Sequence, residues 1–150
     1  DFGKGKINDS IFMFCGFQNG NGDCLDFSGS MVEIENVLVN NAGDKGISLG
    51  EQSTLSLIDS KVINTKIGVA VKDFSRATIK GLTIKNSKIG LAAFQKKPEF
   101  GPGTLIAENL VMKKVKQPFL KEKYSRISVD SQEIVAETNN VKSIIYTSSK

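Results

Sequence analysis

The sequence predicts an all-β chain: a right-handed parallel β-helix of about five to six coils, each of about 22 residues and three short strands. Two observations carry this. First, Gly46-Ile-Ser-Leu, Gly68-Val-Ala-Val and Gly90-Leu-Ala-Ala are near-copies that recur 22 residues apart. Second, the apolar residues of each unit alternate, as in Ile67, Val69 and Val71, then Ala77 and Ile79, then Leu82 and Ile84, between Gly, Asn, Asp or Ser. Period-two runs bounded by turn residues are strands. Helical and leucine-rich solenoids need a helix or a Leu-Asn framework in each repeat, and this unit has neither.

The elements follow in order. The opening stretch from Asp1 to Ile7 offers no amphipathic helix to cover a first coil, so an open end is expected there, with oligomerisation through its unpaired strand edge. The coils are expected over residues 1–134, most clearly over 22–115, with a loop inserted at 96–103. Val32, Leu55, Ala77 and Leu105 share one phase, and Ile34, Leu57, Ile79 and Ala107 the next inward one. Asn36, Asp59, Gly81 and Asn109 then mark turns of left-handed backbone, and Val39, Val62, Ile84 and Met112 resume the core. Asn41, Asn64 and Asn86, with Asn19 in an earlier copy, are expected to stack as a ladder at a bend, until Lys114 breaks the series. Ile127 and Val129 continue the repeat once more, and residues 135–150 read as a strand-like cap or tail.

A single coil cannot bury its inward side chains, so stability requires stacking. One expected column is Leu25, Ile47, Val69 and Leu91, and the next is Phe27, Leu49, Val71 and Ala93. Each buried aliphatic contributes roughly 1.5–3 kcal/mol, and the stack rises on the order of 25–30 Å.

Composition narrows function mainly by exclusion. The 150 residues suit one domain, with no apolar run long enough to span a membrane. Without a starting Met or a leader, the chain reads as a fragment of a longer parent, whose remainder is then a natural partner. There is no His, so Ser-His-Asp and Cys-His machinery and zinc sites are excluded within it. Neither a phosphate-binding glycine loop nor a calcium-loop spacing is present, and no metal site is predicted. Cys15 and Cys24 either form a disulfide across the Gly20-Asn21-Gly22 loop or stay as two thiols.

The phrases Gly22-Asp-Cys-Leu-Asp-Phe-Ser-Gly-Ser, Asn41-Ala-Gly-Asp-Lys-Gly-Ile-Ser-Leu-Gly-Glu and Lys66-Ile-Gly-Val-Ala-Val-Lys-Asp resemble parallel β-helix repeats of the pectate-lyase-like superfamily, in particular those of bacterial extracytoplasmic proteins. The resemblance covers about residues 8–115 and implies the fold and an extracytoplasmic location. Because that superfamily includes lyases, hydrolases, epimerases, tailspikes and adhesins, it does not choose an activity.

Function is expected on the outward positions. Cys24, Gly46, Gly68 and Gly90, beside Asp26, Ser48, Ala70 and Ala92, with Ser28, Gly50, Lys72 and Phe94 beyond, are read as an outward face, a bare trough. It would receive a polysaccharide or surface glycan, or lie beneath the C-terminal tail. The inserted loop supplies Phe94 and Phe100 to stack on a sugar ring and Gln95, Lys96 and Lys97 to meet its polar groups, beside Ser48 and Lys72. The leading expectation is therefore a non-catalytic scaffold or carbohydrate-binding module, and a purely structural or subunit-association domain is another.

The enzymatic alternative is a polysaccharide lyase, hydrolase or epimerase, with Asp26, Lys72, Asp73 and Arg76 as catalytic candidates and Ca²⁺ required only for a lyase. Asp23, Asp44, Glu51 and Lys45 lie near the same edge, but these acids are scattered along the sequence over several coils rather than in one expected patch. With a net charge of +4, outward lysines recur at Lys61, Lys85 and Lys113 and at the bend positions Lys66, Lys88 and Lys116. They suit acidic glycans or simply block edge pairing. Nucleic acid is excluded as a partner, since neither a recognition helix nor an aromatic-rich sheet accompanies the charge.

Overall fold

Left-handed residues form the corners of each coil. Asn36, Asp59, Gly81 and Asn109 have φ of 54°, 47°, 79° and 53°, and Asn41, Asn64, Asn86 and Lys114 have φ of 65°, 59°, 55° and 54°. Asn, Asp and Gly tolerate this region best, so the positions read as turns from sequence do bend the chain. The computed structural model describes residues 3–16 and 22–147, and Asn19 lies outside the described residues.

Between corners the backbone is extended, giving β1 (Lys4–Cys15), β2 (Leu25–Ser28), β3 (Met31–Ala42), β4 (Lys45–Gly50), β5 (Thr54–Lys72), β6 (Arg76–Phe94), β7 (Thr104–Lys121), β8 (Arg126–Val129) and β9 (Gln132–Glu133). Strands β1, β3, β5, β6, β7 and β8 pair in that order, all parallel, while β2 pairs with β4 and β4 with β5. The result is the parallel β-solenoid, of about five turns. Within β5 and β6 the register skips Asp59 against Gly81 and Asn64 against Asn86, which divides each long strand into three segments.

The expected columns are present residue for residue. Leu25 pairs with Ile47, Ile47 with Val69 and Val69 with Leu91, and Val32, Leu55, Ala77 and Leu105 follow one another likewise. These side chains form one buried core running through the stack. At the Asn corner, Asn86 donates to Asn64 at 2.5 Å and Asn64 donates to Asn40 at 2.9 Å, so the lowest rung is Asn40 rather than Asn41. Cys15 and Cys24 form a disulfide, with Cα atoms 4.8 Å apart.

Three expectations are corrected. Residues 141–147 are not strand-like but form a short helix, α1 (Val141–Thr147), which places Val141 and Ile145 one turn apart on the sheet. Gly46, Gly68 and Gly90 do not face outward. A Cβ on Gly46 would stand 2.5 Å from Val62, and one on Gly68 would stand 3.0 Å from Ile84, so the row is bare because the coil's next apolar corner fills that space. Nor is there an open trough, because α1 covers Ala70 and Ala92, burying them with Ile67, Ile89, Phe94 and Leu120.

The first coil is the least covered. Strand β1 pairs only with β3, and Ile11, Met13 and Phe14 are exposed there. The inward column ends at Gly5, where a Cβ would meet nothing within 4 Å, leaving an open hollow of about 790 Å³ over Val32 and Leu55.

Candidate functional site

Apolar columns explain the stack, but they do not explain why Lys45, Lys72 and Asp73 are 3%, 8% and 0% exposed. Burying ions is costly unless each finds partners, and a solenoid of this kind needs none of them for its core. All three lie on one outer face, where Asp26, Ser48, Ala70, Ala92 and Leu120 form a column across successive strands. The hollow over the first coil is larger, but its lining lysines and Glu33 are exposed and its floor is ordinary core.

Lys72 ends β5, and its ammonium donates to Ser48 Oγ at 2.7 Å and to the Leu49 carbonyl at 3.3 Å. Gly50 makes this possible, since a Cβ there would lie 3.2 Å from Lys72 Nζ. The next residue, Asp73, sits in a left-handed turn and accepts from the backbone N–H groups of Lys96 and Lys97 at 2.8 Å each, tying the inserted loop to the stack. Lys97 pairs with Glu51, which also accepts from Ser28 Oγ at 2.6 Å. Asp26, Glu51, Lys72, Asp73, Lys96 and Lys97 thus border one cleft of about 110 Å³.

A second charged group adjoins it. Lys45 is held by Asp44 at 2.7 Å and by Asp23 at 3.6 Å, with the Tyr146 ring centroid 4.9 Å away. Lys96 lies 4.5 Å from the same ring, and the ring packs on Phe94 at 6.3 Å. Tyr146 therefore joins the apolar half of the face, under α1, to the charged half.

Environment separates the two lysines. Burial lowers the Lys72 pKa, reinforced by Lys45 and Lys96 and only partly offset by Asp26. Burial pulls Lys45 the same way, but Tyr146, Asp23 and Asp44 outweigh it and hold the group above its ordinary value. Burial also raises Asp23 and Tyr146, while the Lys97 and Ser28 hydrogen bonds lower Glu51. A lysine with a depressed pKa at the edge of a cleft is a candidate functional position.

Of the residues singled out from sequence, the fold brings Asp26, Lys72, Asp73, Lys96 and Lys97 to the cleft, with Ser48 behind Lys72. The acids that lie far apart in sequence do converge, because residues 22 apart stack on neighbouring strands. Two candidates are corrected. Phe94 is fully buried beneath α1 and offers no sugar platform. Arg76 is exposed at the start of β6 and does not line the cleft. Phe100 lies edge-on to Phe74, 6.4 Å between centroids, and so secures the loop. Gln95 likewise holds the loop, donating to the carbonyls of Lys97 at 3.2 Å and Phe100 at 2.6 Å. Tyr146 was not foreseen, since nothing in its local sequence marks a residue that a short helix carries across the sheet.

Comparison with protein-family models, with curated proteins and with solved structures yields no match. Among the described residues, no group of three or more acidic or Cys side chains is placed to hold a metal ion, so these residues do not fit the Ca²⁺ that a lyase would require.

An ammonium has three donors, and Lys72 uses two of them on the protein, which leaves one at the cleft. Asp73 Oδ2 is without a hydrogen-bond partner among the described residues, but it is buried away from the cleft surface. What the cleft offers is the Lys72 donor together with the carboxylates of Asp26 and Glu51 and the ammonium groups of Lys96 and Lys97.

Proposed function

We propose that this domain is a non-catalytic, extracytoplasmic β-solenoid module that binds carbohydrate through one sugar residue in the Lys72–Asp73 cleft. The observation that carries the reading is the buried Lys72 ammonium, with a donor to spare, at a cleft walled by the carboxylates of Asp26 and Glu51 and by Lys96 and Lys97. Sugar hydroxyls accept from such an ammonium and donate to such carboxylates, and the polar rim would orient the ring. The Cys15–Cys24 disulfide supports the location, since such bonds persist in oxidising compartments, and the sequence resemblance to extracytoplasmic β-helix repeats points the same way.

A second reading is an enzyme acting on polysaccharide, favoured by the lowered pKa of Lys72 beside Asp26, which would suit a base. One experiment separates them. A panel of neutral oligosaccharides is titrated by ligand-observed NMR, while reducing ends and unsaturated products are followed in parallel samples of neutral and acidic polysaccharides. Binding without turnover, lost in Lys72→Met and Asp26→Asn variants that unfold as wild type does, supports the module. Turnover abolished by Lys72→Ala supports the enzyme, and wild-type affinity in both binding variants removes the cleft from consideration.

A further inference from the structure

A different face carries the strongest uncompensated charge. Register places Lys85 beside Lys113, and the pairing of Ser87 with Val115 puts Lys88 and Lys116 on the same two strands, one residue further on. Lys114 occupies the left-handed corner between them. All five are exposed, and none of them forms an ion pair among the described residues. No acid occurs in residues 81–98 or 110–121, and the one acid on these two strands, Glu108, stands opposite Lys80 rather than at this corner. Like charges about 4.8 Å apart on adjacent strands repel, which leaves the corner in want of a polyanion.

The adjoining surface narrows the kind of polyanion. Between α1 and this corner runs a slot of about 190 Å³ with Ile67, Ile89, Ile144 and Ile145 on its apolar walls, Lys66, Lys88 and Gln117 around its rim, and one acid, Asp44, whose carboxylate is already held by Lys45. An apolar wall under a cationic edge fits a sugar ring, whose C–H face packs while its carboxylate meets the lysines. Nucleic acid is served less well, because the corner exposes no aromatic side chain on which bases could stack: Phe94 is buried, and Phe119 packs on the core.

We infer that the Lys85, Lys88, Lys113, Lys114 and Lys116 corner, with the slot beside it, is a docking surface for a uronate-bearing polysaccharide chain. It is separate from the Lys72 cleft and stands on its own residues. The probes are polygalacturonate and hyaluronate, with neutral dextran, single-stranded DNA and anionic phospholipid vesicles as the other arms. Both uronate chains are expected to bind, and more weakly as salt rises. A K85E/K88E/K113E variant should lose about tenfold or more in affinity, as removal of several ionic contacts requires.

The control K4E/K80E/K123E changes net charge equally and is expected to bind as wild type does. An I67S/I89S variant, monitored by circular dichroism for a folded solenoid, should weaken the uronate chains more than it weakens DNA. Equal losses in the two charge-reversal variants would reduce the effect to net charge and overturn the assignment. So would tighter binding of DNA or of vesicles than of either uronate chain, or no uronate binding at all. Lys72→Met binding uronate at wild-type strength is the expected result, and it distinguishes failure of this surface from failure of the cleft.

Discussion

Ala70 and Ala92 share a column with Asp26 and Ser48, yet the first pair lies beneath a helix and the second beside a charged cleft. The backbone is the same on both halves of this face, so the difference lies in side chains alone. At Ile67, Ile89 and Phe94 the face presents an apolar strip that only α1 removes from water. At Lys45, Lys72 and Asp73 it presents charge that only specific partners can hold. One half is held by packing and tolerates only shape-conserving change. The other is held by hydrogen bonds and is expected to tolerate change while losing recognition.

The sharpest way to break this contrast is at Phe94, which one column shares with Lys72. Read as a ligand platform, its loss would spare the fold. Buried beneath α1, Phe94→Ala should cost about 3–5 kcal/mol, detach the helix, and show as a large fall in the denaturant midpoint. An unchanged midpoint would mean that α1 is not docked as described.

Much of this contrast was legible before the fold. The 22-residue register fixed which residues share a column, and it did so correctly for the core and for the left-handed corners, because turn chemistry and burial both repeat. Two features defeated it. Strict alternation turned Gly46, Gly68 and Gly90 outward, whereas the backbone bends there and brings the glycine close to Val62, Ile84 or Met112. Helix α1 has seven residues and buries mainly Val141 and Ile145, too few to register as a period. Missing α1 left the Ala column looking bare and Phe94 looking free. The cleft itself was half visible: Asp26, Glu51, Lys72 and Asp73 come together through the repeat, but the arrival of Lys97 on Glu51 depends on the path of the inserted loop, which no periodicity encodes.

A second break concerns Lys72 and pH. Its folded pKa lies below its unfolded value of 10.5, so between the two the unfolded chain keeps a proton that the folded chain has shed. Stability from this group therefore rises with pH across that window, by at most about 1.4 kcal/mol per pH unit. Below the window the lysine is charged in both states and folding bears the desolvation. Lys72→Met lacks the titration, so the stability of the wild type relative to the variant should rise as urea midpoints are compared from pH 7 towards 10. A difference that stays flat, or that falls with pH, would show that Lys72 titrates normally in the fold.

The mildest test falls on the Glu51–Lys97 pair at the rim. Both side chains are partly exposed, at 37% and 40%, and exposed pairs are screened and add little to stability. Glu51→Gln keeps the shape and can still accept from Ser28, while removing the charge that Lys97 meets. The unfolding midpoint should thus stay close to wild type at neutral pH. Because the folded Glu51 pKa is lowered, its small contribution is present above its unfolded value of 4.5 and fades as pH falls through the folded one. The variant should therefore match wild type most closely in acid. Recognition is expected to respond differently, since Lys97 is no longer held at the cleft mouth, and sugar binding should weaken at neutral pH with the fold intact. If affinity instead follows stability in every variant on this face, the two halves do the same work, and the charged half is only another way of closing the coil.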